Sequence, residues 1–238
     1  MKVLAIGNSF SQDATRYLHQ IAKSDGCDIT VVNLYIGGCS LYTHYKNMLE
    51  DKKAYSMEFN GEPTGFFVSI KEALLAHDWD YISLQQVSHE SISYETFQPY
   101  LQELVKYIKI YCPKAKLAIH QTWSYEQGSE QLKNLGYVDR LDMMVDVKNA
   151  YKNAAKDAKA DAIIVSGELF HRLAGAGMEP LYRDGFHASL GLGRYAIGLL
   201  WYATLTGKSI LGNKFLDTEI AISPEDADTV RKIVEGLR

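Results

Sequence analysis

The chain has 238 residues, 47% of them hydrophobic and 23% charged, with a formal net charge of −4. This is the balance of an ordinary globular domain, and it offers no electrostatic pull toward nucleic acid or an anionic membrane surface. No apolar run approaches the ~18–20 residues of a membrane span, and the three cysteines, Cys27, Cys39 and Cys112, form neither a disulfide framework nor a zinc pattern.

Val3 to Gly7 is a short apolar run of the kind that fills a strand buried on both faces. The apolar stretch is too short for a signal-peptide core, so a cytoplasmic location is expected if Met1 is the native start. Asn8 and Ser9 turn the chain, and helical spacing from about Gln12 to Ser24 puts Ala14, Tyr17, Leu18, Ile21 and Ala22 on one face. Ile29–Ile36, rich in β-branched residues, predicts a second strand that ends in Gly37-Gly38-Cys39-Ser40. A short helix over Leu41–Leu49 follows, then Tyr55–Phe59 and Phe66–Ile70 as a hairpin added to the main sheet, then helix over Ile70–Ala76.

Tyr81–Gln86 predicts the third parallel strand, with polar Gln85 and Gln86 at its carboxyl end. Helix is predicted over Phe97–Tyr111, closed by Cys112-Pro113. Leu117–Gln121 is the fourth strand and leads into an aromatic loop, Thr122–Tyr125. A long amphipathic helix spans Tyr137–Ala158, and Asp161–Val165 is the fifth strand. Ser166–Ala174 forms a turn and short helix, Leu190–Thr206 a mostly apolar, buried helix, and Ser223-Pro224 starts the last helix. Strands separated by helices predict an α/β fold: a three-layer α/β/α sandwich of five parallel strands with an added β-hairpin, one domain over residues 1–238.

In such a sheet the carboxyl ends of the strands share one edge, where ligands bind. Ser9, Gly37-Gly38, Gln85-Gln86 and the segment His120–Trp123 all fall there, and Asp184 and His187 lie in the loop before the apolar helix. Nucleophilic acyl chemistry needs a hydroxyl, a neutral imidazole to take its proton, a carboxylate to hold that imidazole, and donors aimed at the oxyanion. Ser9, His187 and Asp184 are the candidates for the first three, the last two on one face of a helical turn. The backbone N–H groups of Ser9 and Gly38, with a side chain from the third strand, are the candidate donors. The alternative for Ser9 is a plain helix N-cap.

Gly7-Asn8-Ser9-Phe10-Ser11 near one end, Val31 to Gly38 at the end of the second strand, and Asp184 with His187 near the other resemble blocks of the SGNH (GDSL-type) hydrolases. The resemblance covers Met1 to about Thr206. Leu84–His89 and His120–Trp123 are similar to a branch of that superfamily usually described only as a domain of unknown function. The resemblance implies a flavodoxin-like fold and ester hydrolysis without metal or organic cofactor, often removal of O-acetyl groups from carbohydrates. It points to Gly38 as an oxyanion donor. In the third block, where the superfamily carries an Asn donor, this chain has Gln85-Gln86-Val87-Ser88-His89-Glu90. Gln86 is the favoured replacement, because strand alternation groups it with Ile82 and Leu84, and His89 is its competitor.

Gln85, His89 and Trp123 are the expected substrate contacts, with Trp123 and Tyr125 able to stack on a sugar ring or simply to pack. His120 reads as a buried, hydrogen-bonded histidine, Cys39 as a small buried hydrophobe, and Asp13 as a helix-dipole partner. The expected partner is a small ester, chiefly an acylated carbohydrate, with no nucleic acid or membrane. The rival expectations are a carbohydrate-binding module on the same fold with little or no turnover, and, ranked below it, a phosphate or nucleotide binder at the Gly7–Ser11 turn.

Overall fold

A computed structural model describes residues 1–238. The strands are β1 (Lys2–Gly7), β2 (Thr30–Tyr35), β3 (Tyr55–Phe59), β4 (Glu62–Val68), β5 (Tyr81–Leu84), β6 (Lys116–Gln121) and β7 (Ala162–Val165). They form one sheet in the order β4-β3-β2-β1-β5-β6-β7. Strands β2, β1, β5, β6 and β7 run parallel, the flavodoxin-like order in which the second strand lies outside the first. The hairpin is continuous with them: β3 pairs antiparallel with β2 from Val32↔Phe59 to Tyr35↔Ser56, and β4 forms the edge. Asn60 and Gly61 have φ of 52° and 88°, the two-residue hairpin geometry that continues pairing at once. That is why β4 begins at Glu62 and not at Phe66.

The helices are α1 (Ser9–Thr15), α2 (Leu18–Ser24), α3 (Leu41–Leu49), α4 (Ile70–Ala76), α5 (Tyr100–Tyr111), α6 (Glu130–Asn134), α7 (Arg140–Asp157), α8 (Ser166–Gly175), α9 (Leu192–Thr206) and α10 (Pro224–Glu235). Helices α1 and α2 pack with α9, and α10 covers α9 on the outside, while α3, α4, α5 and α7 lie on the opposite face of the sheet. Thirteen of the fifteen residues of α9 are buried, as an all-round apolar helix requires.

The first helical stretch departs from expectation at both ends. It starts at Ser9 because Asn8 is the cap, its Oδ1 accepting from the Phe10 N–H at 3.0 Å. It then breaks after Thr15, whose hydroxyl donates back to the Ser11 carbonyl at 2.9 Å, a competing bond that bends helices. The chain leaves β1 on one face of the sheet and enters β5 from the other, so a crevice opens between those strand ends. Ser9, Gly38 and the segment after β5 border it.

Candidate active site

Two requirements place Ser9. Gly7 must be glycine, because a Cβ there would lie 2.5 Å from Ser11 Oγ and 3.1 Å from Gln85 Cδ. Asn8 then caps α1, so Ser9 at the first helical position is not needed as a cap and its hydroxyl faces the crevice. Asn8 is itself held on both sides: its Nδ2 donates to the Cys39 carbonyl at 3.0 Å and its Oδ1 accepts from Gln85 Nε2 at 2.8 Å.

The loop before α9 brings the other two groups. Asp184 and His187 do not meet on a helical turn as their spacing suggests. Asp184 Oδ1 accepts from the His187 N–H at 2.9 Å and the Phe186 N–H at 3.3 Å, folding the loop around the carboxylate. Gly185 at φ 88° completes the turn, a conformation costly for residues with a Cβ. Asp184 Oδ2 then lies 2.6 Å from His187 Nδ1, and His187 Nε2 lies 2.8 Å from Ser9 Oγ, across 178 positions of sequence. Burial pushes the Asp184 carboxyl upward, but the bonds from the His187 ring and amide outweigh it and hold the group below its ordinary value. An ionised Asp184 only accepts, so Nδ1 carries the proton of the neutral ring and Nε2 accepts from the Ser9 hydroxyl.

Ser9 and His187 line a cleft of about 450 Å³ together with Gly37, Gly38, Val87, Ser88, His89 and Tyr125. Gln12, Tyr35, Gln131, Arg183 and Phe186 also line its wall. The N–H groups of Ser9 and Gly38 donate to no carbonyl of the chain, which leaves them available to a ligand at this wall.

Three expected contacts lie elsewhere. Gln86 is fully buried and turned away from the cleft: its Oε1 accepts from the Leu41 and Val87 N–H groups at 2.9 Å each, and its Nε2 donates to the Thr96 carbonyl at 2.9 Å. Every polar atom of its side chain is engaged, so it cannot serve as the oxyanion donor. The strand ends at Leu84, and the alternation that grouped Gln86 with Ile82 and Leu84 stops there. Gln85 also lies behind the wall, accepting from His120 Nδ1 at 2.6 Å while donating to Asn8. Trp123 is 0% exposed, stacked between Phe10 at 4.1 Å and Phe170 at 4.7 Å. Of the expected substrate contacts Gln85, His89 and Trp123, only His89 reaches the cleft, and Tyr125, the other candidate for stacking, lines it too.

His120 is fully buried with both ring nitrogens bonded, Nε2 to Ser166 Oγ at 3.0 Å, and burial lowers it to about 3. Cys39 is buried too, its thiol pushed up to about 12, which removes thiolate character. Asp13 is more than a dipole partner, because it pairs with Arg183 and Arg194. No sequence spacing marks that contact, since its partners lie 170 and 181 positions away. No group of three or more His, Cys, Asp or Glu side chains converges as a metal site, and no helix is long and apolar enough to cross a membrane.

Among solved structures, this one is similar to a DUF4886 family protein from Bacteroides uniformis, with 33% identity and a TM-score of 0.92 over 99% of this chain and 93% of that one. It shares its fold with a candidate SGNH hydrolase from Slackia heliotrinireducens, at 22% identity and a TM-score of 0.64 over 86% and 98% of the two chains. A candidate GDSL-like lipase from Parabacteroides merdae shares it at 15% identity and a TM-score of 0.57 over 87% and 95%. No curated protein matches. The family described as a domain of unknown function, DUF4886, matches residues 2–233, and the chain belongs to that family, built on the α/β/α fold of the SGNH hydrolases.

Proposed function

We propose that the protein is a serine esterase acting on small acyl esters, most suitably O-acetyl groups of carbohydrates. The observation that carries this reading is the unbroken line from Ser9 Oγ through His187 to Asp184, with contacts of 2.8 and 2.6 Å, at the wall of a solvent-open cleft. Ser9 Oγ attacks the ester carbonyl carbon while His187 Nε2 takes its proton, and Asp184 steadies the imidazolium. The Ser9 and Gly38 N–H groups receive the oxyanion. As the tetrahedral intermediate collapses, the bond to the alcohol breaks and His187 returns the proton to that oxygen. Water then attacks the acyl-Ser9 carbon, giving its proton to His187; as this intermediate collapses the bond to Ser9 Oγ breaks, His187 returns the proton to that oxygen, and the acid leaves.

With Gln86 engaged elsewhere, His89 takes the place of the third oxyanion donor in this reading. The cleft supports a carbohydrate alcohol in its mixture of hydrogen-bonding side chains, Gln12, Gln131 and Arg183, with the rings of Tyr35 and Phe186. The turned-away Gln86 favours one second reading, a binding module with little turnover, because losing an oxyanion donor costs ~3–4 kcal/mol in the transition state. Hydrolysis of p-nitrophenyl acetate separates the two. The esterase reading expects turnover by the wild type and none above background by Ser9→Ala, and equal rates for both proteins would remove it.

A further inference from the structure

Helix α1 carries Ser9 at its first position and Asp13 one turn later, so both side chains leave the same face. Asp13 is 0% exposed and takes no part in lining the cleft. Its Oδ1 accepts from Arg183 Nη1 at 2.9 Å and from Arg194 Nε at 2.8 Å. Its Oδ2 accepts from Arg183 Nη1 at 3.0 Å and from the Ala188 N–H at 3.1 Å.

Arg183 immediately precedes Asp184, and Ala188 immediately follows His187. The loop is also closed on itself, since the Arg183 N–H donates to the His187 carbonyl at 3.1 Å and Arg183 Nη1 reaches the Ala188 carbonyl. One carboxylate therefore fastens both ends of the Asp184–His187 loop to the helix that carries Ser9. Arg194, from α9, adds the third element and is tied outward to Glu219 at 2.6 Å.

A buried ion pair is a weak way to gain stability, because desolvation offsets much of the attraction. Its strength lies in geometry: several donors converge on two oxygens and leave little freedom to slide. Simple packing between α1 and the loop would tolerate a shift of an ångström, and a shift of that size at reacting groups costs about a hundredfold in rate.

We infer that Asp13 is a positioning residue: held by Arg183 and Arg194, it fixes the separation of Ser9 Oγ and His187 Nε2. The inference rests on the reading of Ser9 and His187 as catalytic partners. Asp13→Asn keeps the shape but turns an NH2 group toward two arginines. On p-nitrophenyl acetate, kcat is expected to fall about a hundredfold with KM held within about twofold. The His187 Nδ1–H bond to Asp184 should give the wild type a far-downfield proton NMR signal, and that signal is expected to broaden or disappear in the variant. Arg194→Gln, which touches neither the cleft nor the Ser9–His187 pair, is expected to lose part of the same kcat, and it carries the test if Asp13→Asn does not fold. A folded variant that keeps wild-type kcat, or loses only KM, or leaves the NMR signal unchanged overturns the inference. Absence of hydrolysis in the wild type would instead count against the esterase reading, and the NMR signal would then decide the role of Asp13 alone.

Discussion

Trp123→Phe distinguishes an indole that holds the site together from one that meets the substrate. The Trp123 Nε1 donates to the Phe186 carbonyl at 2.7 Å, and its ring stacks 4.1 Å from that of Phe10. It thus joins the residue after Ser9 to the residue before His187. Phenylalanine keeps part of the stack but leaves the carbonyl without its donor, at ~1–3 kcal/mol. The smaller ring opens a void between Phe10 and Phe170, costing a further ~1 kcal/mol. The sum is ~2–4 kcal/mol, and at ~2–4 °C per kcal/mol for a chain of this size the melting temperature should fall by roughly 4–16 °C. Because the neighbours of both Ser9 and His187 are loosened, kcat should fall with KM unchanged if the two act together as proposed. Calorimetry and p-nitrophenyl acetate kinetics on the same preparation measure both. A variant of unchanged stability that raises KM for an acetylated sugar would refute this account and restore Trp123 as a stacking platform.

Gln85→Leu interrupts the buried line from Ser166 through His120 to Asn8 and leaves the His120 Nδ1–H without an acceptor. It should cost ~1–3 kcal/mol in chemical denaturation and lower kcat through Asn8 and the Gly38 segment; a variant indistinguishable from wild type would contradict that link. Burial lowers both His44 and His120 from 6.5 to about 3. The unfolded chain takes up those protons below about pH 6.5 and the folded chain does not. Stability should therefore decline from about pH 6.5 toward about pH 3, by up to ~1.4 kcal/mol per pH unit for each histidine. Urea midpoints measured across that range should show the slope, and His44→Gln should reduce it. For thiols, the bond from Lys208 and a second from Tyr202 lower Cys27, whereas burial raises Cys39 to about 12. Iodoacetamide on the native protein should modify Cys27 and spare Cys39, as peptide mass spectrometry would show.

The parallel strands and most helices were legible because their signals are local. Short apolar runs between helical stretches set the strands, and Leu41–Leu49 and Ile70–Ala76 have the predicted limits. Ser9, Asp184 and His187 could be picked out because strand ends in a parallel sheet share an edge and because the blocks that hold them resemble those of the SGNH hydrolases. What escaped depends on which way a side chain turns once regular structure ends. Gln86 lies two residues beyond the end of β5, so alternation no longer governs it, and the Leu41 N–H at the start of α3, the Val87 N–H and the Thr96 carbonyl capture its side chain. Trp123 looked available in a loop, yet Phe10 and Phe170 enclose it from elements far apart in the chain. The role of Asp13 required knowing that Arg183 and Arg194 fold against α1. The short helix α6, capped by Ser129, is only five residues long and carries too little periodicity to be detected.

The central claim is that Ser9 is a nucleophile activated by His187. Treating the protein with an organophosphonate ester and locating the adduct by peptide mass spectrometry tests it most directly. The account predicts one adduct per chain, on Ser9, formed by the wild type and lost in His187→Ala. An adduct on another residue, or labelling of Ser9 at the same rate without His187, would contradict it.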